Sequence, residues 1–168
     1  MQAMTKPVSQ TFRNFQPKGE ALNSVSADDD FKILFERKFD QHKLVRNPYK
    51  YEIDYSVSEI ETENIIGMID YRSKKYSKRR VADMGGVKVS LKKILAGIDI
   101  SEKMGIPVQI FFSFSDTNRG NYHRFLMTKE NFDRCGTGFM NYKGANGAQE
   151  IEPVVVVPIE VLDDRCLF

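Results

Sequence analysis

Residues 50–75 read KYEIDYSVSEIETENIIGMIDYRSKK, and the alternation inside this stretch decides the fold. Tyr51, Ile53, Tyr55 and Val57 alternate with Glu52, Asp54, Ser56 and Ser58, and further on Ile65, Gly67, Ile69 and Tyr71 alternate with Ile66, Met68, Asp70 and Arg72. A period of two belongs to a strand with two different faces, so the stretch predicts a β-hairpin. A turn centred on Glu61, Thr62 and Glu63 sets Asp54 opposite Asp70, Glu52 opposite Arg72 and Tyr55 opposite Ile69. Directly opposed side chains have Cβ atoms roughly 4.5–5.5 Å apart, where two carboxylates repel unless a cation lies between them. Hard oxygen ligands on adjacent strands suit Mg²⁺ or Mn²⁺, which keep several waters and borrow further ligands from a phosphate. The alternative is one solvated carboxylate and a diagonal ion pair from Asp54 to Arg72.

The hairpin runs directly into RSKKYSKRR, Arg72 to Arg80, with six basic residues in nine positions. Such a run is either a solvated loop or, beside paired carboxylates, a grip on phosphates through Arg72, Lys74, Lys75, Lys78, Arg79 and Arg80. Upstream, Ser26 to Asp30 offers capping oxygens and negative charge for a helix from near Asp29 to about His42. Phe31, Ile33, Leu34, Phe35 and Phe39 form its apolar side, and Glu36 on it is either a surface acid or a third carboxylate aimed at the hairpin. Residues 1–27 are polar and without pattern, which predicts a mobile arm ahead of a single α/β domain over 28–168.

Downstream, Ser90 caps a predicted helix to Met104 with an apolar stripe of Leu91, Ile94, Leu95 and Ile98, and Gly105 stops it. Val108 to Phe114 is continuously apolar and reads as a central strand. Tyr122 to Met127 follows as a short strand and KENFDRC as a short helix capped by Thr128. GTGFMNYKGANGAQ is expected to be an exposed loop, and Glu150 to Leu162 an edge strand because of Pro153 and Pro158.

Composition excludes more than it selects. The 168 residues, 41% hydrophobic and 29% charged, fit one globular domain, and a net charge of +2 does not by itself announce a nucleic-acid partner. No apolar run reaches membrane-spanning length and no signal-peptide core opens the chain, so a cytoplasmic, membrane-free protein is expected. Cys135 and Cys166 have neither metal-site nor disulfide-framework spacing. His123 has no acid or thiol at a telling spacing. A serine elbow, a Cys–His pair, a dinucleotide fingerprint and a P-loop are all absent, which sets aside the common hydrolases and oxidoreductases.

An acid-bearing helix, a strand with Asp54 in EID, a strand ending IDYR at Ile69 to Arg72, and then SLKKILAGIDISEKMGIPVQIFF resembles the core of PD-(D/E)XK nucleases. That resemblance covers roughly residues 28–114 as layout. It implies a restriction-endonuclease-like α/β fold, a central mixed sheet flanked by helices. It also implies a metal-dependent nuclease with Asp54 and Asp70 as metal ligands, a contribution from Glu36, a nucleic-acid substrate with DNA favoured over RNA, and a homodimer. One departure stands out: Arg72 occupies the place of the family's lysine. Arginine stays protonated and makes a poor proton relay, so an amine from Lys74, Lys75 or Lys93 is needed if the site is active. Three readings therefore stay open: a nuclease, a non-catalytic nucleic-acid binder on the same fold, and a protein-interaction module or inhibitor using an exposed strand edge.

Overall fold

The computed structural model describes residues 21–163. The predicted hairpin is present as β2 (Tyr55–Glu59) and β3 (Ile65–Ser73), antiparallel, with Tyr55 opposite Ile69, Ser56 opposite Met68 and Val57 opposite Gly67. This is the expected register, and it slips by one only beyond Val57, at a bulge that pairs Ser58 with Ile65. The first arm is shorter than its alternation suggests. Tyr51 to Asp54 lie outside the strand, because their backbone is satisfied locally: the Tyr51 N–H donates to Pro48 O, Asn47 Nδ2 donates to Ile53 O and the Asn47 N–H donates to Asp54 O. Ser56 Oγ in turn donates to Asn47 Oδ1, which ties this entry segment to β2.

Around the hairpin stands a five-stranded sheet. β1 (His42–Arg46) pairs antiparallel with β2, β5 (Val108–Ser113) runs parallel to β3, and β6 (His123–Leu126) closes the far edge antiparallel to β5, giving the order β1-β2-β3-β5-β6. Helix α1 (Ala21–Lys38) covers one face and α3 (Leu91–Met104) the other. Because neighbours on β3 point to opposite faces, Ile69 and Tyr71 join Phe31, Phe35, Tyr55 and Phe111 under α1. Met68 joins Ile94, Ile110 and Phe112 on the α3 side, where Asp70 points as well.

Two boundaries of the first helix differ from expectation. α1 begins at Ala21, so the acids from Asp28 to Asp30 lie within it rather than at its start, and the last residues of the predicted arm are helical. Residues 1–20 of that arm lie outside the described residues. At its other end α1 stops at Lys38, and His42 begins β1, a strand with only Leu44 buried. Five residues with one buried position offer too few alternations to announce a strand.

Only the middle of the basic run, residues 74–77, is a loop. β3 continues to Ser73, and Lys78–Asp83 form α2, whose cap Ser77 accepts the Arg80 N–H. Gly85 and Gly86 then turn the chain into β4 (Val87–Ser90). Gly86 is required there: its φ is 129°, and a Cβ would fall 2.3 Å from Val157 O. Ser90 does precede α3, though its side chain makes no capping bond, and Gly105 ends the helix in the left-handed conformation at φ 66°. Leu95 departs from the predicted stripe and is exposed. Thr128 caps α4 (Lys129–Asp133) as expected by accepting the Asn131 N–H.

The glycine-rich segment is the largest revision. Gly136–Lys143 is strand β7, joined by a tight turn to β8 (Gln149–Val157), and β8 is the central strand of a second sheet ordered β4-β8-β7. Pro153 is compatible with a central strand because β4 pairs only with Val154–Val157 and ends before reaching it. Val154, Val155 and Val157 are fully buried, and Val155 and Val157 help complete the core beneath α3. No helix among the described residues is long and apolar enough to cross a membrane.

Candidate active site

Asp70 is fully buried, and both of its carboxylate oxygens are engaged by cations. Arg72, two residues on and therefore on the same face of β3, donates from Nε to Oδ2 at 2.7 Å. Lys93, buried in the first turn of α3, donates from Nζ to Oδ1 at 2.5 Å. Asp54, just ahead of β2, extends the register of the hairpin to the position facing Asp70. Lys93 Nζ lies 4.0 Å from Asp54 Oδ1, so the cation between the paired aspartates is a lysine from the following helix.

The electrostatics follow from this crowding. Burial, the charge of Asp70 and a hydrogen bond shared with it push the Asp54 carboxyl up to about 7. Burial pushes Asp70 in the same direction, but the charges of Arg72 and Lys93 outweigh it and hold that carboxyl below its ordinary value. Two carboxylates in contact do not both ionise easily, and the one with two cations wins. Asp54 therefore carries a proton up to neutral pH while Asp70 stays charged.

Other expected partners are placed differently. Arg72 pairs with Asp70 rather than diagonally with Asp54, and Glu52 meets Lys92 at 2.5 Å rather than Arg72. Glu36 does not reach the aspartates: its Oε1 accepts Lys32 Nζ at 2.7 Å and the Leu44 N–H at 2.9 Å, which fastens β1 to α1. The acid that α1 does bring near the site is Asp28. Its side chain is 17% exposed and paired with Arg46 at 3.4 Å. Burial raises its carboxyl above the ordinary value, Arg46 opposes this, and Asp70 and Arg72 both act on it electrostatically. Its place was legible, since Asp28, Phe31 and Phe35 recur at the three-and-four spacing of one helix face. The run of three aspartates looks instead like a cap.

Lys74 sits just past β3, with its Nζ 5.9 Å from the Phe112 ring centroid. Burial, then the charge of Arg72, lowers its pKa from the ordinary lysine value. Lys75, Arg79 and Arg80 are exposed and form no ion pair among the described residues, while Lys78 is half-buried. Its backbone N–H donates to Asp116 Oδ1. His123 is a buried residue packed beside Phe114, away from the aspartates. Cys135 is half-buried near Asn131 O, and Cys166 lies outside the described residues.

Among the described residues no three His, Cys, Asp or Glu side chains converge as a metal cage. The Asp54–Asp70 pair nonetheless fits a hard divalent cation. Both donors are carboxylate oxygens, and one holds a proton that such a cation displaces. Mg²⁺ ordinarily takes one or two carboxylates and keeps water.

A helix, an antiparallel three-strand meander, a crossover through helices and a parallel fourth strand, with Asp54 at the entry to β2 and Asp70-x-Arg72 on β3 beside it, define a restriction-endonuclease-like protein of the PD-(D/E)XK class. The chain belongs to the family described as phage putative PDDEXK endonuclease, whose model matches residues 14–164. No curated protein and no solved structure matches the chain.

Proposed function

We propose that the protein is a metal-dependent nuclease that hydrolyses phosphodiester bonds in nucleic acid, with DNA preferred over RNA. The observation that carries this reading is the cluster of Lys93, Asp70 and Asp54, in which α3 delivers the amine that Arg72 cannot provide. Asp54 and Asp70 would hold Mg²⁺ or Mn²⁺. Such an ion supplies positive charge at the scissile phosphate and makes water a better nucleophile.

The chain's own residues divide the remaining work. Asp70 orients Lys93 and Arg72 by binding one with each oxygen. Arg72 uses only Nε in doing so, and its terminal nitrogens make no hydrogen bond to the described residues, leaving them for phosphate oxygens. Among the described residues, Lys93 is the amine close to both carboxylates and so placed to exchange a proton at the reacting centre. Lys74 adds positive charge along the path of the substrate strand. Lys75, Lys78, Arg79 and Arg80 would take backbone phosphates on either side. Glu36 has no part in this site.

The test is cleavage and retardation of labelled single- and double-stranded DNA and RNA with Mg²⁺, Mn²⁺ or EDTA, repeated with Asp70→Asn and Lys93→Met. Metal-dependent cutting that both variants lose supports the reading. Retardation without cutting in the unaltered protein establishes instead a non-catalytic binder, the reading that Arg72 in place of lysine favours. Neither signal turns the search to protein partners.

A further inference from the structure

On the other face of β3 from Asp70, a cleft of about 240 Å³ opens between α1 and the segment that joins β5 to β6. Tyr71, Phe114 and Tyr122 supply its apolar surface, and Asn118, Asn121 and Thr117 its polar one. Among the described residues its charged lining is Asp30 and Arg119, which bind each other through two guanidinium nitrogens and cancel. Thr117 is spent on the Phe114 backbone, and Ser113 on the Tyr71 hydroxyl at 2.8 Å. The side-chain amides of Asn118 and Asn121 make no hydrogen bond among the described residues.

We infer that this cleft seats a single nucleobase of the substrate strand, with Asn118 and Asn121 reading its edge. The inference rests on the nuclease reading and deepens it by adding a base-selective subsite. Three observations carry it. The lining is electrically neutral, which disfavours a phosphate and suits a flat uncharged ring with both donors and acceptors. The volume, about 240 Å³, has room for a flat ring system. The position is adjacent to the chemistry: Tyr71 follows Asp70 directly on β3, and Ala27 on the rim precedes Asp28, which feels the charges of Asp70 and Arg72. A strand whose phosphate lies at the aspartates would have to turn over the end of the sheet near Tyr71 to present a neighbouring base to the cleft. Paired amides suit this role, since an Asn or Gln amide donates to and accepts from a base edge at once.

The experiment measures anisotropy binding, in EDTA, of single-stranded oligonucleotides that differ in one base, together with an abasic version at each position in turn. It compares the unaltered protein with Asn118→Ala, Asn121→Ala and the double variant. Side-chain amide NMR signals, assigned by their loss in the variants, are followed during titration with the four free nucleosides. The expected result is a preference of about tenfold for one base at one position, reduced to less than twofold in the double variant while the salt dependence of binding is unchanged. Shifts of the two amide signals by one nucleoside above the others accompany it. Tight binding with no base preference, or a preference that the double variant retains, overturns the subsite and leaves the nuclease reading intact. Absence of all oligonucleotide binding overturns both, and is separated from a folding defect by the intact amide spectrum.

Discussion

Removing the Asp54 charge should flatten the pH dependence of stability in the metal-free protein. The folded-state carboxyl titrates at about 7, against an ordinary value of 3.8. Between those values the folded chain holds a proton that the unfolded chain has released, so stability falls as pH rises across this window and levels off above it. A shift of about three units, at about 1.4 kcal/mol each, sets a ceiling near 4 kcal/mol. The side chain is 32% exposed, so solvent screening leaves about half of that, ~2 kcal/mol. Asp70 acts in the opposite sense, but its carboxyl is lowered, so the stability it contributes is lost only as pH falls below the ordinary carboxylate range. The two effects occupy different windows. Asp54→Asn keeps the shape and hydrogen bonding of the protonated acid without its titration. Urea unfolding in EDTA at pH 5 and pH 8 gives the difference for each protein, and whatever the two proteins share cancels between them. The unaltered protein should lose about 1.3 kcal/mol more than the variant over that interval, the share of the ~2 kcal/mol that falls above pH 5. Equal losses would refute the contact between the two carboxyls.

Lys93→Met should destabilise the fold by about 3 kcal/mol in urea, because Asp70 stays buried with one cation instead of two, and should abolish cleavage, while an unchanged midpoint would place the amine elsewhere. Asp54→Ala with Asp70→Ala should remove Mn²⁺ binding by calorimetry and also lower the unfolding midpoint, since Lys93 and Arg72 then lose their counter-charge; undiminished Mn²⁺ affinity would eliminate the metal site. Changing Lys75, Arg79 and Arg80 together to Gln should reduce the slope of log affinity for duplex DNA against log salt by up to about 0.9 per lost phosphate contact, read by anisotropy across a salt series. Glu36→Gln should cost about 1 kcal/mol through the weakened tie to Leu44 and leave turnover per folded molecule unchanged.

The parts of this fold that could be read from sequence were those with a strong local period. The hairpin register followed from alternation alone, because a one-residue slip would have exchanged the faces of Ile69 and Asp70. The helix ending at Gly105 and the apolar strand after it were equally plain. What escaped was set by tertiary context. β1 has a single buried residue, and β7 carries Gly136 and Gly138 in a pattern that resembles a loop until β8 pairs with it. Pro153 suggests an edge only if the neighbouring strand is assumed to reach it. The site shows the same division. Asp54, Asp70 and Arg72 were legible because they share one hairpin, and Lys93 entered only as an amine that the fold could bring close, since 23 residues separate it from Asp70. Glu36 was the helix acid the sequence offered for the site, whereas Asp28 lies in a run of three aspartates that looks like a cap.

The placement of Lys93 changes what paired acids mean in this chain. Two aspartates considered alone describe an anionic hole that a metal must fill before any phosphate can approach. With Arg72 and Lys93 both on Asp70, and Asp54 protonated up to about pH 7, the cluster is net positive at low pH and becomes neutral, not anionic, as Asp54 ionises. A phosphodiester therefore meets no electrostatic barrier at the metal-free site, and Lys74 with the basic α2 segment adds attraction from the end of β3. A divalent cation, by contrast, must displace a proton from Asp54 and share Asp70 with two resident cations, so its affinity for the protein alone is held down. On the nuclease reading, a phosphate brought in by the strand would supply the missing negative charge and further oxygen ligands. On that reading, the arginine in place of the usual lysine fixes one oxygen of Asp70 and leaves the other to an amine supplied by the next helix.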